Sequence, residues 1–379
     1  MRIGLNSEKV LERTTGVGCY AYNLVRGLLE IDRDNRYVLF FHSDAGCYAG
    51  EPWLAGPNVE LDQYGAKGSN PRRILWEQLG LPGRARRSKL DVFHYIDHTL
   101  SMIGKPVPTA ITVHDLAFFR HPEAYTRSRR IYKSLVSPRS IRRADRVIAV
   151  SEYTRQEVLE ITGADPDKVS VVYNGIDGEF RVIQDQKLLS DFRRQHDLPQ
   201  RYILFVGTLQ PRKNVTGLVR AYAELVQRKA VEHDLVICGE RGWIFDEIFS
   251  QVERSGLTAR VRFIESLPQQ QLPLLYNCAE LFVFPSLFEG FGLPLLEAMS
   301  CGVPVVSSNT TSMPEVVGDA ALLVDPNDVD DMALQIQRAL SDRELAADLR
   351  NRGLERSREF SWRKCAQSTL EIYKQMAQS

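Results

Sequence analysis

No apolar run in this sequence is long enough to cross a membrane, neither sign of charge is in excess, and no cysteines stand at the spacing that holds a metal. The six cysteines, Cys19, Cys47, Cys238, Cys278, Cys301 and Cys365, are widely scattered, several of them in apolar runs, as small buried hydrophobes are. A reduced, cytoplasmic setting is therefore expected. Met1-Arg2-Ile3-Gly4-Leu5 already reads as a strand and is not followed by the apolar stretch of a signal peptide. Any membrane contact is accordingly expected to be peripheral, at the inner face of the plasma membrane. With 48 Lys and Arg against 48 Asp and Glu, the formal net charge is zero, and nucleic acid is not expected as a partner. Low-complexity segments are also missing.

What is present is length, an apolar fraction and a regular alternation. A chain of 379 residues with 44% hydrophobic residues can build two domains, each with its own core. Short apolar strands alternate with helical patterns in both halves, which implies parallel sheets covered by helices on both faces. In the first half the strands fall at about 3–5, 37–41, 92–95, 110–113, 147–150 and 169–172. In the second they fall at about 202–206, 234–238, 261–264, 281–284, 303–307 and 321–324. The fold class is thus α/β, with two doubly wound Rossmann-like domains. The turn residues Asn174-Gly175-Ile176-Asp177-Gly178 place the boundary between residues 1–177 and 178–362. Charge is spread unevenly: residues 70–146 hold sixteen Lys and Arg against six Asp and Glu. A basic face of this kind attracts anionic lipid or a phosphate-bearing acceptor, the other reading being ordinary solvated helix faces.

The chemistry concentrates in Pro285-Ser286-Leu287-Phe288-Glu289-Gly290-Phe291-Gly292-Leu293-Pro294, which closes an apolar strand and opens a helix, with Glu297 eight positions after Glu289. Gly290 and Gly292 let backbone approach a ligand, and Pro294 suits the first helical turn. An anion can sit on the helix N-terminus while the two carboxylates accept hydrogen bonds from hydroxyls, so Glu289, Gly290, Phe291, Gly292, Leu293 and Glu297 read as a site for a nucleotide sugar. The alternative is a glycine-containing loop with a capping glutamate. Arg212 and Lys213 follow the first strand of the second half across the turn Gly207-Thr208-Leu209-Gln210-Pro211. Two fixed cations there would stabilise the charge that grows on a departing diphosphate, unless the turn is simply a basic surface loop.

The two glutamates, preceded by Phe-Pro-Ser and followed by Ala298-Met299-Ser300-Cys301-Gly302-Val303-Pro304, resemble the signature of retaining glycosyltransferases of the GT-B fold, family 4. The likeness runs through Val113-His114-Asp115, Val150-Ser151-Glu152, Tyr173-Asn174-Gly175, Pro211-Arg212-Lys213-Asn214 and Met313-Pro314-Glu315, over nearly the whole chain. Pro-Arg-Lys-Asn together with Trp76-Glu77-Gln78 is most similar to bacterial mannosyltransferases of surface polysaccharide synthesis. The resemblance implies two domains facing across a cleft, the first binding the acceptor and the second the nucleotide sugar. The C-terminal helix, 363–379, would cross back to the first. It also implies transfer of a hexose, mannose from GDP-mannose, to a hydroxyl of a lipid-linked or polysaccharide acceptor.

By the same resemblance, His114 approaches the donor sugar near its reacting carbon, and His114, Arg212, Lys213 and Glu289 form the catalytic set. Relatives carry an arginine directly after the glycine where this chain has Thr208, which leaves open whether Arg212 serves in its place. Gly16-Val17-Gly18 matches a dinucleotide fingerprint as a string, but stands about ten residues too far from the first strand. In the family this loop helps frame the acceptor, so Gly16, Val17 and Gly18 are carried as an acceptor or phosphate loop. Arg72, Arg73 and Trp76 are acceptor candidates, since arginines hold phosphates and aromatic faces stack on sugars, or else they are packing residues of a helix. The Asp-x-Asp strings at 165–167 and 328–330 lie in turns that enter helices and read as caps rather than metal ligands. No metal and no cofactor beyond the nucleotide-sugar co-substrate is expected. Two other activities stay open: a nucleotide-sugar 2-epimerase of the same fold, and a non-catalytic sugar-nucleotide-binding partner.

Overall fold

The structure, a computed structural model, describes residues 1–12, 15–42, 51–64, 70–105, 107–122, 125–242 and 245–378. Cys47 and the side chains of Arg73 and Arg129 lie outside the described residues. The chain divides into two compact units, Met1–Gly175 with Ser361–Ser379, and Ile176–Phe360.

In the first unit the strands are β1 (Arg2–Asn6), β2 (Arg36–Phe41), β3 (Val59–Gln63), β4 (Val92–Tyr95), β5 (Thr109–Val113), β6 (Arg146–Ala149) and β7 (Val169–Val171). All pairings are parallel and the order is β3-β2-β1-β4-β5-β6-β7, with Ile3 opposite both Tyr37 and Val92. The inner strands read as near-continuous apolar runs because helices cover both faces, and every residue of β4 and β5 is buried. β3 is a correction to the expected strand set. Its sequence, Val-Glu-Leu-Asp-Gln, lacks an apolar run because it forms the sheet edge, where charged side chains discourage pairing with another chain.

The second unit contains β8 (Tyr202–Val206), β9 (Asp234–Cys238), β10 (Val261–Ile264), β11 (Leu281–Phe284), β12 (Val305–Ser308) and β13 (Ala321–Val324), all parallel, in the order β10-β9-β8-β11-β12-β13. β12 begins two residues later than expected. Pro304 has no N–H for the ladder, although its carbonyl accepts from the Phe282 N–H at 2.9 Å. In each sheet the strand order reverses once, between β1 and β4 and between β8 and β11. Ligands of open α/β sheets bind beyond the carboxyl ends of the strands at such a reversal.

The last helix, Trp362–Gln378, belongs to the first unit and packs along the helix Gly16–Ile31. Its buried stripe, Cys365, Ala366, Thr369, Leu370, Ile372, Tyr373 and Met376, has the 3–4 residue spacing of a helix face against a core. Among the described residues, no helix is long and apolar enough to cross a membrane.

Candidate active site

The second unit brings Arg212, Lys213 and Glu289 together at the β8–β11 reversal. After β8 the chain makes the short turn Pro211–Lys213, and the loop after β11 is tied to it where the Leu287 N–H donates to the Arg212 carbonyl at 2.8 Å. Glu289 then meets both cations. Its Oε1 accepts from Lys213 Nζ at 2.5 Å and its Oε2 from Arg212 Nη1 at 2.9 Å, and the same guanidinium nitrogen donates to the Phe288 carbonyl at 2.9 Å. The Lys213 ammonium lies 4.7 Å from the centre of the Phe284 ring, a cation–π contact. Burial alone would raise the Glu289 carboxyl, but Arg212 and Lys213 outweigh it and hold the group down at about 2.

A second loop clamps the glutamate's backbone. The Glu289 N–H donates to Thr311 Oγ1 at 3.2 Å, and Ser312 Oγ donates to the carbonyls of Glu289 and Phe291 at 3.0 and 3.1 Å. Thr311 has φ of 56°, a left-handed conformation that a β-branched residue keeps only when its surroundings enforce it. Gly292, at φ 105°, makes the reversal into the helix Leu293–Ser300, with Pro294 in the first turn. One turn on, Glu297 is buried and its Oε2 accepts from the Tyr276 hydroxyl at 2.7 Å. Its carboxyl is pushed up to about 7 by burial, against the smaller opposing pulls of Tyr276 and Lys213.

In the first unit, His114 follows β5 and Ile96 follows β4. The imidazole Nε2–H donates to the Ile96 carbonyl at 2.9 Å, which leaves Nδ1 as an acceptor. The edge of the Tyr20 ring packs against the imidazole at 4.7 Å between centroids. Burial lowers the His114 pKa despite the opposing carboxylate of Asp97, so the ring is neutral at neutral pH. Behind it runs a buried polar chain: Tyr20 hydroxyl to Thr112 (3.1 Å), Thr112 to His94 Nε2 (2.8 Å), and His94 Nδ1 to the Tyr373 hydroxyl (2.6 Å). Burial and the neighbouring His114 hold His94 down at about 3, so it serves this chain as a neutral ring.

Residues 188–356 match the family described as glycosyl transferases group 1, and residues 14–180 match Glycosyltransferase Family 4. The O-antigen chain mannosyltransferase B of Escherichia coli is 34% identical over 391 residues, spanning 99% of this chain and all of that protein. This chain is a family 4 glycosyltransferase. Among solved structures, the sucrose-phosphate synthase of Thermosynechococcus elongatus superposes with a TM-score of 0.80 at 23% identity, covering 99% of both chains. Anabaena HepE in complex with UDP and glucose gives 0.78 at 20% identity, over 99% of this chain and 100% of that one. The glycosyltransferase therefore has the GT-B fold.

The structure of the glycosyltransferase also corrects part of the expected acceptor set. Gly16 and Val17 form the first turn of the helix Gly16–Ile31, but the Gly18 N–H is already taken by the N-cap Thr15, whose Oγ1 accepts it at 3.0 Å. Gly18 is required for a different reason: a Cβ there would stand 1.8 Å from the Glu12 carbonyl oxygen. Trp76 presents no face for a sugar, because the residue is 5% exposed, lies in the apolar core of the first unit and packs edge-on to His42. Arg72 is exposed on the helix Asn70–Leu75. Asp165 and Asp328 cap their turns, accepting from the N–H groups of Asp167 and Asp331 at 3.0 and 2.9 Å. Sequence reasoning missed Tyr276, Thr311 and Ser312, and also Asp97 and His98 beside His114. The run Thr310-Thr311-Ser312 ahead of the Met-Pro-Glu motif was a usable signal for the clamp.

Proposed function

We propose that this glycosyltransferase moves a mannosyl group from GDP-mannose to a hydroxyl of a lipid-linked or growing polysaccharide acceptor, with retention of configuration and without a metal. The observation that carries this reading is the convergence of Arg212, Lys213 and Glu289 beyond the β8–β11 reversal, beside a helix N-terminus suited to an anion. Cleavage of the sugar–phosphate bond leaves negative charge on the diphosphate, and the two cations are fixed where they can stabilise it. The mannose assignment rests on the similarity to the E. coli O-antigen enzyme. Glu289 is already committed to two cations, and Glu297 is held by Tyr276, which suits neither to attack the sugar as a nucleophile. Retention then follows from front-side attack, in which the leaving phosphate oxygen takes the acceptor's proton. His114, with Nδ1 as an acceptor, is assigned a hydrogen bond from a donor-sugar hydroxyl. The second unit is assigned the donor and the first the acceptor. Nucleotide release from GDP-, UDP- and ADP-sugars, measured with mixed bacterial lipid extract as acceptor, tests the proposal. Release is expected from GDP-mannose, dependent on the extract. Use of a UDP- or ADP-sugar in its place would overturn the donor assignment, and conversion of donor without acceptor would favour the epimerase.

The same reading includes a peripheral membrane contact through the first unit. The helix Arg127–Arg143 contains seven Lys and Arg and no acidic residue. Arg127, Ile131, Leu135 and Arg139 recur at four-residue intervals on its outer side, with Ile131 60% and Leu135 52% exposed. Exposed aliphatic side chains set between cations suit an anionic lipid interface. Changing Ile131 and Leu135 to serine together with Arg127 and Arg130 is expected to reduce co-sedimentation with anionic vesicles, since each cation near such a surface contributes about 1 kcal/mol. Transfer to a soluble sugar should be spared. Vesicle binding equal to wild type would remove the membrane contact from the proposal.

A further inference from the structure

The carboxyl edge of β4 carries a group that the reaction described above does not use. Asp97 directly follows Ile96, whose carbonyl holds the His114 ring, so the carboxylate stands beside the imidazole at the β1–β4 reversal. One of its oxygens is anchored. Oδ1 accepts from the His98 N–H at 2.7 Å and lies 2.7 Å from His98 Nδ1. His98 itself is 4% exposed and stacked on Phe118 with centroids 5.6 Å apart, and among the described residues neither of its buried ring nitrogens has a hydrogen-bond partner. Burial and the stacking on Phe118 hold the ring rigidly against that carboxylate. The Asp97 side chain is 26% exposed, and among the described residues nothing donates to its Oδ2.

We propose that Asp97 binds the acceptor saccharide, with Oδ2 accepting a hydrogen bond from a sugar hydroxyl and His98 fixing the carboxylate's orientation. This rests on the assignment of the acceptor to the first unit. Burial alone would raise the Asp97 carboxyl, but His98, with Lys133 and His114 further out, holds it well below the usual carboxylate range. It is therefore a charged acceptor that cannot donate, the kind of group that selects hydroxyls. The carboxylate stays ionised throughout and takes no proton from the acceptor. A turn-stabilising aspartate would need only the bond from the His98 N–H, and would explain neither the buried histidine behind it nor the exposed oxygen.

Asp97→Asn keeps the shape and one acceptor oxygen but loses the charge. Calorimetric titration with octyl glycosides ending in mannose, glucose, galactose and N-acetylglucosamine, without any donor, is the direct test. Wild type is expected to bind at least one of them, and Asp97→Asn to bind it about tenfold more weakly, the low end for a hydrogen bond to a charged group. GDP affinity should be equal in the two proteins. Equal glycoside affinity, or binding of none of the four by wild type, overturns the proposal. Failure of GDP to bind either protein would instead strike at the donor assignment. Unfolding temperature and the smaller variant Asp97→Ser guard against a folding defect, because a purely structural aspartate would lower stability and GDP binding together.

Discussion

Replacing Lys213 with alanine is expected to lower turnover by about a hundredfold or more, the usual effect of removing one electrostatic partner of a developing charge. Donor affinity should change far less. Lys213 is 7% exposed, its ammonium held at 2.5 Å by Glu289 and backed by the Phe284 ring. It is thus fixed before the substrate arrives and need not reorganise as charge moves onto the leaving diphosphate. Such a group contributes most where that charge is greatest, in the transition state. Measured kcat and KM for the donor separate the outcomes, and weaker donor binding at unchanged kcat would place Lys213 away from the reacting bond. Acid stability gives a second readout. The Glu289 carboxyl is lowered to about 2, so its ion pairs add stability above the unfolded value near 4.5, and this is lost as pH falls through 2. With Lys213 gone and only Arg212 facing Glu289, a smaller share of that stability should remain to be lost on acidification.

Glu297→Gln is expected to stabilise the protein at pH 8 while weakening donor binding. The carboxyl is raised to about 7 by burial, so its ionisation costs stability as pH climbs from about 4.5 to 7, and the full cost persists above that. A difference of this size corresponds to about 3 kcal/mol. The amide cannot ionise and can still accept the Tyr276 hydroxyl. The variant should therefore melt roughly 6–12 °C higher at pH 8, and close to wild type near pH 4.5. Donor affinity should fall by about tenfold to a hundredfold, the range for losing a hydrogen bond to a charged group. It should rise in wild type as pH passes 7, because only the carboxylate offers that charge to hydroxyls. An equal melting shift at both pH values would mean that the carboxyl does not titrate in this range, and unchanged donor affinity would make Glu297 a helix residue without a ligand.

The strands that could be read from the sequence were those buried on both faces, such as β5 and β8, because each is an apolar run bounded by turn residues. β3 could not be, since an edge strand is selected for charge rather than for burial. The glutamate motif was legible because two carboxylates, two glycines and a proline sit within a few residues of one another. What they would face was not. The ion pairs of Glu289 join residues 76 and 77 positions apart, and Tyr276 reaches Glu297 from a different helix. Trp76 shows the opposite failure. An aromatic residue near arginines looks like a sugar platform until packing against His42 and the surrounding core reveals it as filling. Asp97 and His98 went unnoticed because a histidine after an aspartate carries no pattern, and only adjacency of β4 and β5 brings them to His114.

The helix Trp362–Gln378 also bears on how the protein is made. Ile176–Phe360 is a continuous stretch of chain and has all its contacts available as soon as it has emerged. Met1–Gly175 must wait for residues 361 onward, because only then can Tyr373 reach His94 and the stripe from Cys365 to Met376 cover the helix Gly16–Ile31. At roughly 5–20 residues per second of synthesis, the wait is on the order of ten to forty seconds. The part of the chain synthesised first is thus the last to be completed, and during that interval its apolar flank stands uncovered.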